Sequence, residues 1–169
     1  ASCNLAKELG PCEKFSETKY SKGKLPIDWY KKTVDEIVKP KYSMDWEDLR
    51  ARIKEFGLRH STVSAIMPCE SSSVIQNSTN GIEPVRKLLS YKKAKNGVLK
   101  QIVPNYHKGR KYYTLAFDMQ DNNAIIKIIA VLQKFVDMSI SANLYYNYEH
   151  YEDGSIPLSN IIKDSIISY

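Results

Sequence analysis

Residues 62–73 run from an alternating apolar pattern straight into a proline and a row of serines. Val63, Ala65 and Met67 alternate with Thr62, Ser64 and Ile66, the period-two pattern of a strand with one strongly apolar face. Pro68 has no N–H to donate to a ladder and stops the strand, and Ser71, Ser72 and Ser73 follow where a helix can begin. A helix start leaves backbone N–H groups without intrahelical acceptors. Such amides, with the positive end of the helix dipole and small hydroxyl side chains, bind phosphate oxygens without a lysine. The same serines also suit a plain helix cap. The local pattern leaves both readings open.

The rest of the chain surrounds this junction with helical and hairpin patterns. The first nine residues have helical character and end at Gly10-Pro11, after which residues 12–24 read as a polar surface connection. Residues 29–38 carry a helical spacing through Trp29, Val34, Ile37 and Val38, closed by Lys39-Pro40. Residues 46–56 form the clearest helix of the first half. Trp46, Leu49, Ile53 and Phe56 recur at helical spacing, Ser43 or Asp45 suits the cap, and Gly57 ends the run. Its apolar stripe is expected to pack on the strand at 63–67. Farther on, residues 88–94 and 98–103 flank Asn96-Gly97, which suits the positive-φ positions of a two-residue hairpin turn. A short helix near 112–119 and a long one over 123–140 follow. Residues 145–152 read as a tyrosine-rich loop, and Pro157 opens a last helix.

Nothing in this pattern reads as a membrane span. The longest apolar-rich run, residues 124–140, is interrupted by Lys127, Gln133, Lys134 and Asp137, as in a buried amphipathic helix. No basic segment followed by an apolar stretch marks a signal peptide, so a soluble chain of the cytoplasm is the expectation. The three cysteines, Cys3, Cys12 and Cys69, form no C-x-x-C pair and have no histidine at ligand spacing. They argue against a structural zinc site or a disulfide framework. Cys69 stands out because a helix N-terminus raises thiol reactivity. At both ends, helical patterns run without caps: Ala1 leaves no room for a first turn, and the apolar face of Leu158, Ile161, Ile162 and Ile166 reaches Tyr169 with no Gly or Asn behind it. That is the pattern expected of an excised or split piece of a longer polypeptide.

The net charge of +6 has a local source. Every charged residue between Arg86 and Lys111 is basic. A basic hairpin with Tyr91, Tyr106, Tyr112 and Tyr113 beside it suits nucleic-acid backbone and base stacking. Lysines on an exposed hairpin face also keep its edges from pairing with other chains, and that solvated-face reading is the preferred one. His60, His107 and His150 stand alone, with no serine or cysteine motif that would make one of them a base.

The junction and its flanks, Phe56-Gly57-Leu58-Arg59-His60-Ser61 before it and Gln76-Asn77-Ser78-Thr79-Asn80-Gly81-Ile82-Glu83-Pro84 after it, resemble the C-terminal part of the large subunit of class I ribonucleotide reductases of bacterial or T-even-like phage type. Further matches occur in the family's order. They are Leu5-Ala6-Lys7-Glu8, Lys24-Leu25-Pro26-Ile27-Asp28, Gln101-Ile102-Val103-Pro104, Gln133-Lys134-Phe135, Ser139-Ile140-Ser141-Ala142-Asn143 and residues 158–169. The resemblance covers essentially the whole chain.

That resemblance implies an α/β fold: an incomplete C-terminal portion of a ten-stranded α/β barrel, with a small appended α/β segment containing a β-hairpin. It assigns residues 1–86 to the barrel, 87–155 to the appended segment and 156–169 to a truncated helix returning to the barrel. It implies reduction of ribonucleoside diphosphates to deoxyribonucleoside diphosphates by radical chemistry, with the substrate's diphosphate held by Pro68, Cys69, Glu70, Ser71 and Ser72. Cys69 stands where the family often has Ser or another small residue, which leaves backbone contacts but no hydroxyl. No catalytic residue of the family falls in this piece, because the thiyl-forming cysteine, the reducing pair and the radical-relay tyrosines are not matched. Tyr145-Tyr146 does not match that relay pair, and the piece alone is expected to be inactive. No cofactor is expected on this segment: the metal-radical cofactor belongs to the small subunit, and the ATP and dNTP effector sites lie elsewhere. The implied partners are the remainder of the large subunit, the radical-generating small (beta) subunit, the nucleotide substrate, and thioredoxin or glutaredoxin for the full enzyme. The resemblance also offers Leu158, Ile161, Ile162 and Lys163 as a docking face for the small subunit's tail; the alternative, preferred for most of this stripe, is that it packs inward on the helix at 123–140. Nucleic acid and membrane partners are not expected.

Overall fold

The computed structural model describes residues 1–39, 41–95, 97–151, 155–156, 158–159 and 162–163. Their regular elements, in chain order, are α1 (Ser2–Leu9), α2 (Pro26–Trp29), α3 (Val34–Ile37), α4 (Trp46–Phe56), α5 (Glu70–Ile75), β1 (Leu89–Ala94), β2 (Gly97–Ile102), α6 (Tyr106–Gly109) and α7 (Asn123–Gln133), with short 3-10 turns between them. Helix and strand are therefore both present. The sheet among the described residues is an open two-stranded one, β1 against β2, and does not close into a barrel. The chain forms two compact units. Ala1–Ile66 and Lys127–Ile140 belong to the first; Met67–Ile126 and the described residues from Ser141 onward belong to the second.

The first unit is built on α1 and α4, which lie against each other. Its core gathers Cys3, Tyr20, Leu25, Ile53 and Leu58, with Phe15, Ile27, Trp46, Leu49 and Phe56 packed around them. The helical spacing of Trp46, Leu49, Ile53 and Phe56 is what brings those four to one side of α4. Asp45 caps that helix by accepting from the N–H groups of Glu47 (3.1 Å) and Asp48 (2.9 Å). Gly57 closes it at φ +75° and donates to the Ile53 carbonyl at 2.8 Å. A side chain there would meet Pro11 at 2.7 Å. Short α2 is held by Asp28, which accepts from the Leu25 N–H (2.7 Å) and takes a two-pronged contact from Arg50 at 2.6 and 3.1 Å.

Three expectations for this unit need correction. The helix expected over 29–38 does not form: α2 ends at Trp29 and only the single-turn α3 follows within the span, because Tyr30 leaves the helical region at ψ 160° and its hydroxyl turns to the Asp35 carboxylate. The helix expected over 123–140 ends at Gln133. The next three N–H groups reach back only three residues, Lys134 to Val131, Phe135 to Leu132 and Val136 to Gln133, so the turn tightens. The Gln133 amide then donates to the carbonyls of Val136 and Met138 and accepts from the Ile140 N–H, replacing helical bonds with its own. Residues 63–67, expected as a strand, have no ladder partner among the described residues. The segment is instead held by Asp137, whose carboxylate accepts from the N–H groups of Val63 (2.7 Å) and Ser64 (3.1 Å) and from the Tyr20 hydroxyl. Ser64 completes the staple by accepting from the Asp137 and Met138 N–H groups. Val63 and Met67 are half exposed or more, so the expected apolar face of the strand is not a buried one.

This unit also buries a charge. Lys134 is wholly buried, with its ammonium 2.5 Å from Asp35 and over the ring of Tyr30 at 4.5 Å. Burial pushes the lysine's pKa down, but the bond to Asp35 and the nearby Tyr30 and Tyr42 outweigh it and hold the pKa above the ordinary value.

In the second unit the hairpin forms where its sequence places it. Leu89 pairs with Ile102 at the open end, and the Val103 N–H adds one more bond to Leu88. Ala94 pairs with Gly97, however, so the loop is set one residue earlier than expected and Gly97 is the first residue of β2, at φ +138°. Asn96 lies outside the described residues. The single helix expected near 112–119 is replaced by two 3-10 turns, Arg110–Tyr112 and Ala116–Asp118, because the Tyr113 hydroxyl bonds the Pro104 carbonyl and the Ala116 N–H bonds Val85. Val103, Ala116, Ile125 and Tyr145 form the buried apolar part of this unit, beside buried Ser73 and Asn122.

Candidate functional site

The serine junction folds into α5, a six-residue helix whose N-cap is Cys69. The serines are therefore not the cap. Ser71 and Ser72 occupy the second and third helical positions and are exposed, while Ser73 turns inward and is buried. No side chain caps the helix start. The first intrahelical bond is donated by Ser73 to Cys69 at 2.8 Å, so the N–H groups of Ser71 and Ser72 meet no acceptor among the described residues. Cys69 is different. Its own N–H is spent on the Asn80 carbonyl at 2.7 Å, and its exposed thiol lies 3.6 Å from the Met67 carbonyl. Pro68 is exposed and has no N–H to offer.

The far end of α5 explains how the chain returns. Asn77 takes a left-handed conformation at φ +47°, its N–H bonds the Val74 carbonyl, and the Ser78 N–H bonds Ser73 at 2.9 Å. This is a Schellman closure with Asn in the position that glycine usually fills. The chain then turns back toward the helix start, where Asn80 meets Cys69. Asn80-Gly81 is legible in sequence as a turn; that the Asn80 carbonyl closes on the Cys69 N–H is not.

Three residues beyond Asn80, Glu83 is the hub of a polar network. Its carboxylate accepts from the Tyr145 hydroxyl (2.7 Å), the Asn143 N–H (2.7 Å) and the Asn143 side-chain amide (2.9 Å). Tyr145 is in turn fixed by Asn122, whose amide donates to its carbonyl at 2.5 Å and accepts from its N–H at 3.1 Å. Its ring meets Phe117 edge-on at 5.3 Å. Burial pushes the Glu83 pKa up, but the donors from Tyr145 and Asn143 and the charge of Arg86 more than offset it, leaving the carboxyl below its ordinary value. Tyr145 moves the other way, raised by burial and by bonding to an anion. Sequence reasoning included Glu83 and Asn143 in matching motifs without assigning them a role, since nothing local says that residues 60 apart share a carboxylate.

A cavity of about 730 Å³ opens in the same unit between α5 and the hairpin, with Ser73, Asn77, Glu83, Arg86, Tyr91 and Lys100 among its walls. Among the described side chains, those of Pro68, Cys69, Ser71 and Ser72 do not line it. The residues that bear the free amides, Ser71 and Ser72, are thus not among this cavity's walls. The hairpin lysines Lys92, Lys93, Lys95 and Lys100 are exposed. Of the expected docking residues, Leu158 and Ile162 are 55% and 54% exposed, Lys163 is exposed, and Ile161 lies outside the described residues. Among the described residues no group of three or more His, Cys, Asp and Glu could hold a metal ion, and no helix is long and apolar enough to cross a membrane.

Comparison with known proteins gives the chain's family. A family model described as the ribonucleotide reductase barrel domain matches residues 1–169. The chain is 49% identical over 169 residues to the ribonucleoside-diphosphate reductase subunit alpha of Haemophilus influenzae, covering all of this chain and 22% of that protein. It is 47% identical to the ribonucleoside-diphosphate reductase 1 subunit alpha of Escherichia coli, with the same coverage. The corresponding subunit of Enterobacteria phage T4 is 46% identical over 171 residues, 23% of its length. The chain spans less than a quarter of the length of these curated relatives. An ordered match from the first residue to the last shows that this chain belongs to the ribonucleotide reductase barrel-domain family.

Proposed function

We propose that the chain is a C-terminal part of the catalytic large subunit of a ribonucleoside-diphosphate reductase, and that the start of α5 holds the substrate's diphosphate. The observation that carries this reading is the pair of N–H groups at Ser71 and Ser72, which meet no acceptor among the described residues at an exposed helix start. Diphosphate oxygens are strong acceptors, and two adjacent amides with neighbouring hydroxyls meet them without a counter-charge. With only six residues, α5 contributes a small dipole, so the individual amides matter more. Pro68, Cys69 and Glu70 set the approach to them. Because the Cys69 N–H is committed to Asn80, it orients the turn and leaves phosphate contact to the residues after it.

In this reading residues 1–86 belong to a ten-stranded barrel, 87–155 to an appended segment and 156–169 to a helix returning to the barrel. The remainder of the large subunit supplies the reacting cysteines. A small subunit, docking in part on Leu158, Ile161, Ile162 and Lys163, supplies the radical from its metal site. Effector nucleotides bind outside this chain, electrons arrive from thioredoxin or glutaredoxin, and the enzyme works in the cytoplasm.

The test compares Ser71→Pro with Ser71→Ala in the full-length large subunit. Proline removes an N–H in the first turn of a helix, where it is tolerated, whereas alanine removes only the hydroxyl. Loss of one charge-assisted contact is worth about 1.5–3 kcal/mol, so the proline variant should bind a ribonucleoside diphosphate about tenfold to a hundredfold more weakly, and the alanine variant less so. Equal and negligible effects of both, in folded protein, would place the diphosphate elsewhere.

A further inference from the structure

We propose that Glu83 is a positioning residue for the diphosphate loop, fastening the return segment whose Asn80 carbonyl holds the Cys69 amide at the start of α5. This rests on the reading of Ser71 and Ser72 given above and adds to it a residue that does not touch the substrate.

The amides at Ser71 and Ser72 are useful to a diphosphate only if the turn that presents them does not move. Their helix is too short to hold itself: six residues make few internal bonds. What fixes its N-cap is the Cys69–Asn80 bond, and Asn80 is borne by a segment tied down at its two ends. At one end is the Schellman closure at Asn77 and Ser78; at the other is Glu83. Between Asn80 and Glu83 lie only Gly81 and Ile82, so slack at Glu83 passes directly to the Asn80 carbonyl.

The anchor itself is well built. Three donors converge on one carboxylate from Asn143 and Tyr145. Tyr145 does not yield, because Asn122 pairs with both its N–H and its carbonyl and Phe117 packs on its ring. A network in which every member is paired restricts motion more than its separate bonds would. Glu83 therefore ties the loop's return segment to the Asn143–Tyr145 segment, about 60 residues away in sequence.

The experiment uses the full-length large subunit assembled with its small subunit, with cytidine diphosphate as substrate and Glu83→Gln, Tyr145→Phe and Ser71→Pro as variants. Glu83→Gln keeps the shape but puts a donor where one acceptor oxygen stood; Tyr145→Phe removes a single donor. A loosened loop weakens diphosphate binding remote from the reacting carbon, so KM rises while kcat stays within about twofold. We expect KM to rise about tenfold in Glu83→Gln and about threefold in Tyr145→Phe, with thermal melts little changed. Combined with Ser71→Pro, Glu83→Gln should add much less than its separate effect, since both act on the same contact. A purely architectural role would lower the melting temperature and the active fraction and leave KM unmoved, which would overturn the proposal. Unchanged KM in both Glu83→Gln and Tyr145→Phe, with Ser71→Pro still impaired, would overturn this inference alone. An unimpaired Ser71→Pro would overturn the diphosphate-loop reading and this inference with it.

Discussion

Replacing Asp137 with alanine isolates what holds the extended segment ahead of the serine junction. In the native fold its carboxylate accepts from the N–H groups of Val63 and Ser64 at 2.7 and 3.1 Å, and from the Tyr20 hydroxyl. The Ser64 hydroxyl and carbonyl keep their own bonds to the backbone of Asp137 and Met138 in the variant, so the segment should stay in place but open more readily. A bond from an N–H to an ionised carboxylate contributes about 1.5–3 kcal/mol. Val63 is half exposed and its freed amide can be rehydrated, which points to the lower end of that range for each bond. Local opening should thus become easier by about 3 kcal/mol, or about a hundredfold in exchange rate. Hydrogen–deuterium exchange on a peptide spanning residues 62–66 of the full-length protein reads this directly. Tyr20→Phe provides the contrast: it removes a donor to the same carboxylate but leaves both amides paired, so exchange at residues 62–66 should rise far less than in Asp137→Ala. Exchange at residues 62–66 that is identical in Asp137→Ala and the parent protein, with the melt unchanged, would refute the carboxylate as the segment's anchor.

Two further outcomes follow from the charges of the first unit. Asp28 has its pKa lowered chiefly by the bond from Arg50, so its stabilising contribution is complete above the unfolded carboxylate value and is lost as pH falls through the lower native one. The melting-temperature difference between Asp28→Asn and the parent should accordingly be full at neutral pH and shrink below about pH 4, as an acid series of thermal melts would record. For the buried pair, Asp35→Asn strands the Lys134 ammonium without an anion, so Asp35→Asn with Lys134→Met should be more stable to denaturant than Asp35→Asn alone.

Much of the local structure was legible in the residues. The spacing of Trp46, Leu49, Ile53 and Phe56 with Gly57 behind it predicted α4 to the residue, and the turn chemistry near Asn96-Gly97 predicted the hairpin within one position. Pro68 and the serines marked a helix start, and α5 begins at Glu70. These features depend on bonds and side chains within a few positions of one another. The failures share a different origin. Alternation at 63–67 predicted a strand because the pattern records which side chains could face a core, not whether a neighbour exists to pair with. The apolar run to Ile140 predicted one helix because periodicity does not show that the Gln133 amide competes for the backbone bonds beyond it.

The sequence by itself determined the family, through ordered matches along the whole chain. It also determined α4, the hairpin to within one position and the turn at Asn80-Gly81, all of which are set by short-range backbone preferences. Only the tertiary structure decided which amides at the loop remain open, because that depends on Asn80 returning to take the Cys69 N–H. It alone joined Glu83 to Asn143 and Tyr145, Asp137 to Val63 and Ser64, and Lys134 to Asp35. Each of those contacts spans about 60 to 100 positions. A carboxylate carries no local signal of which distant donor it will meet; that is settled when packing brings the two segments together and burial makes leaving either group unpaired costly.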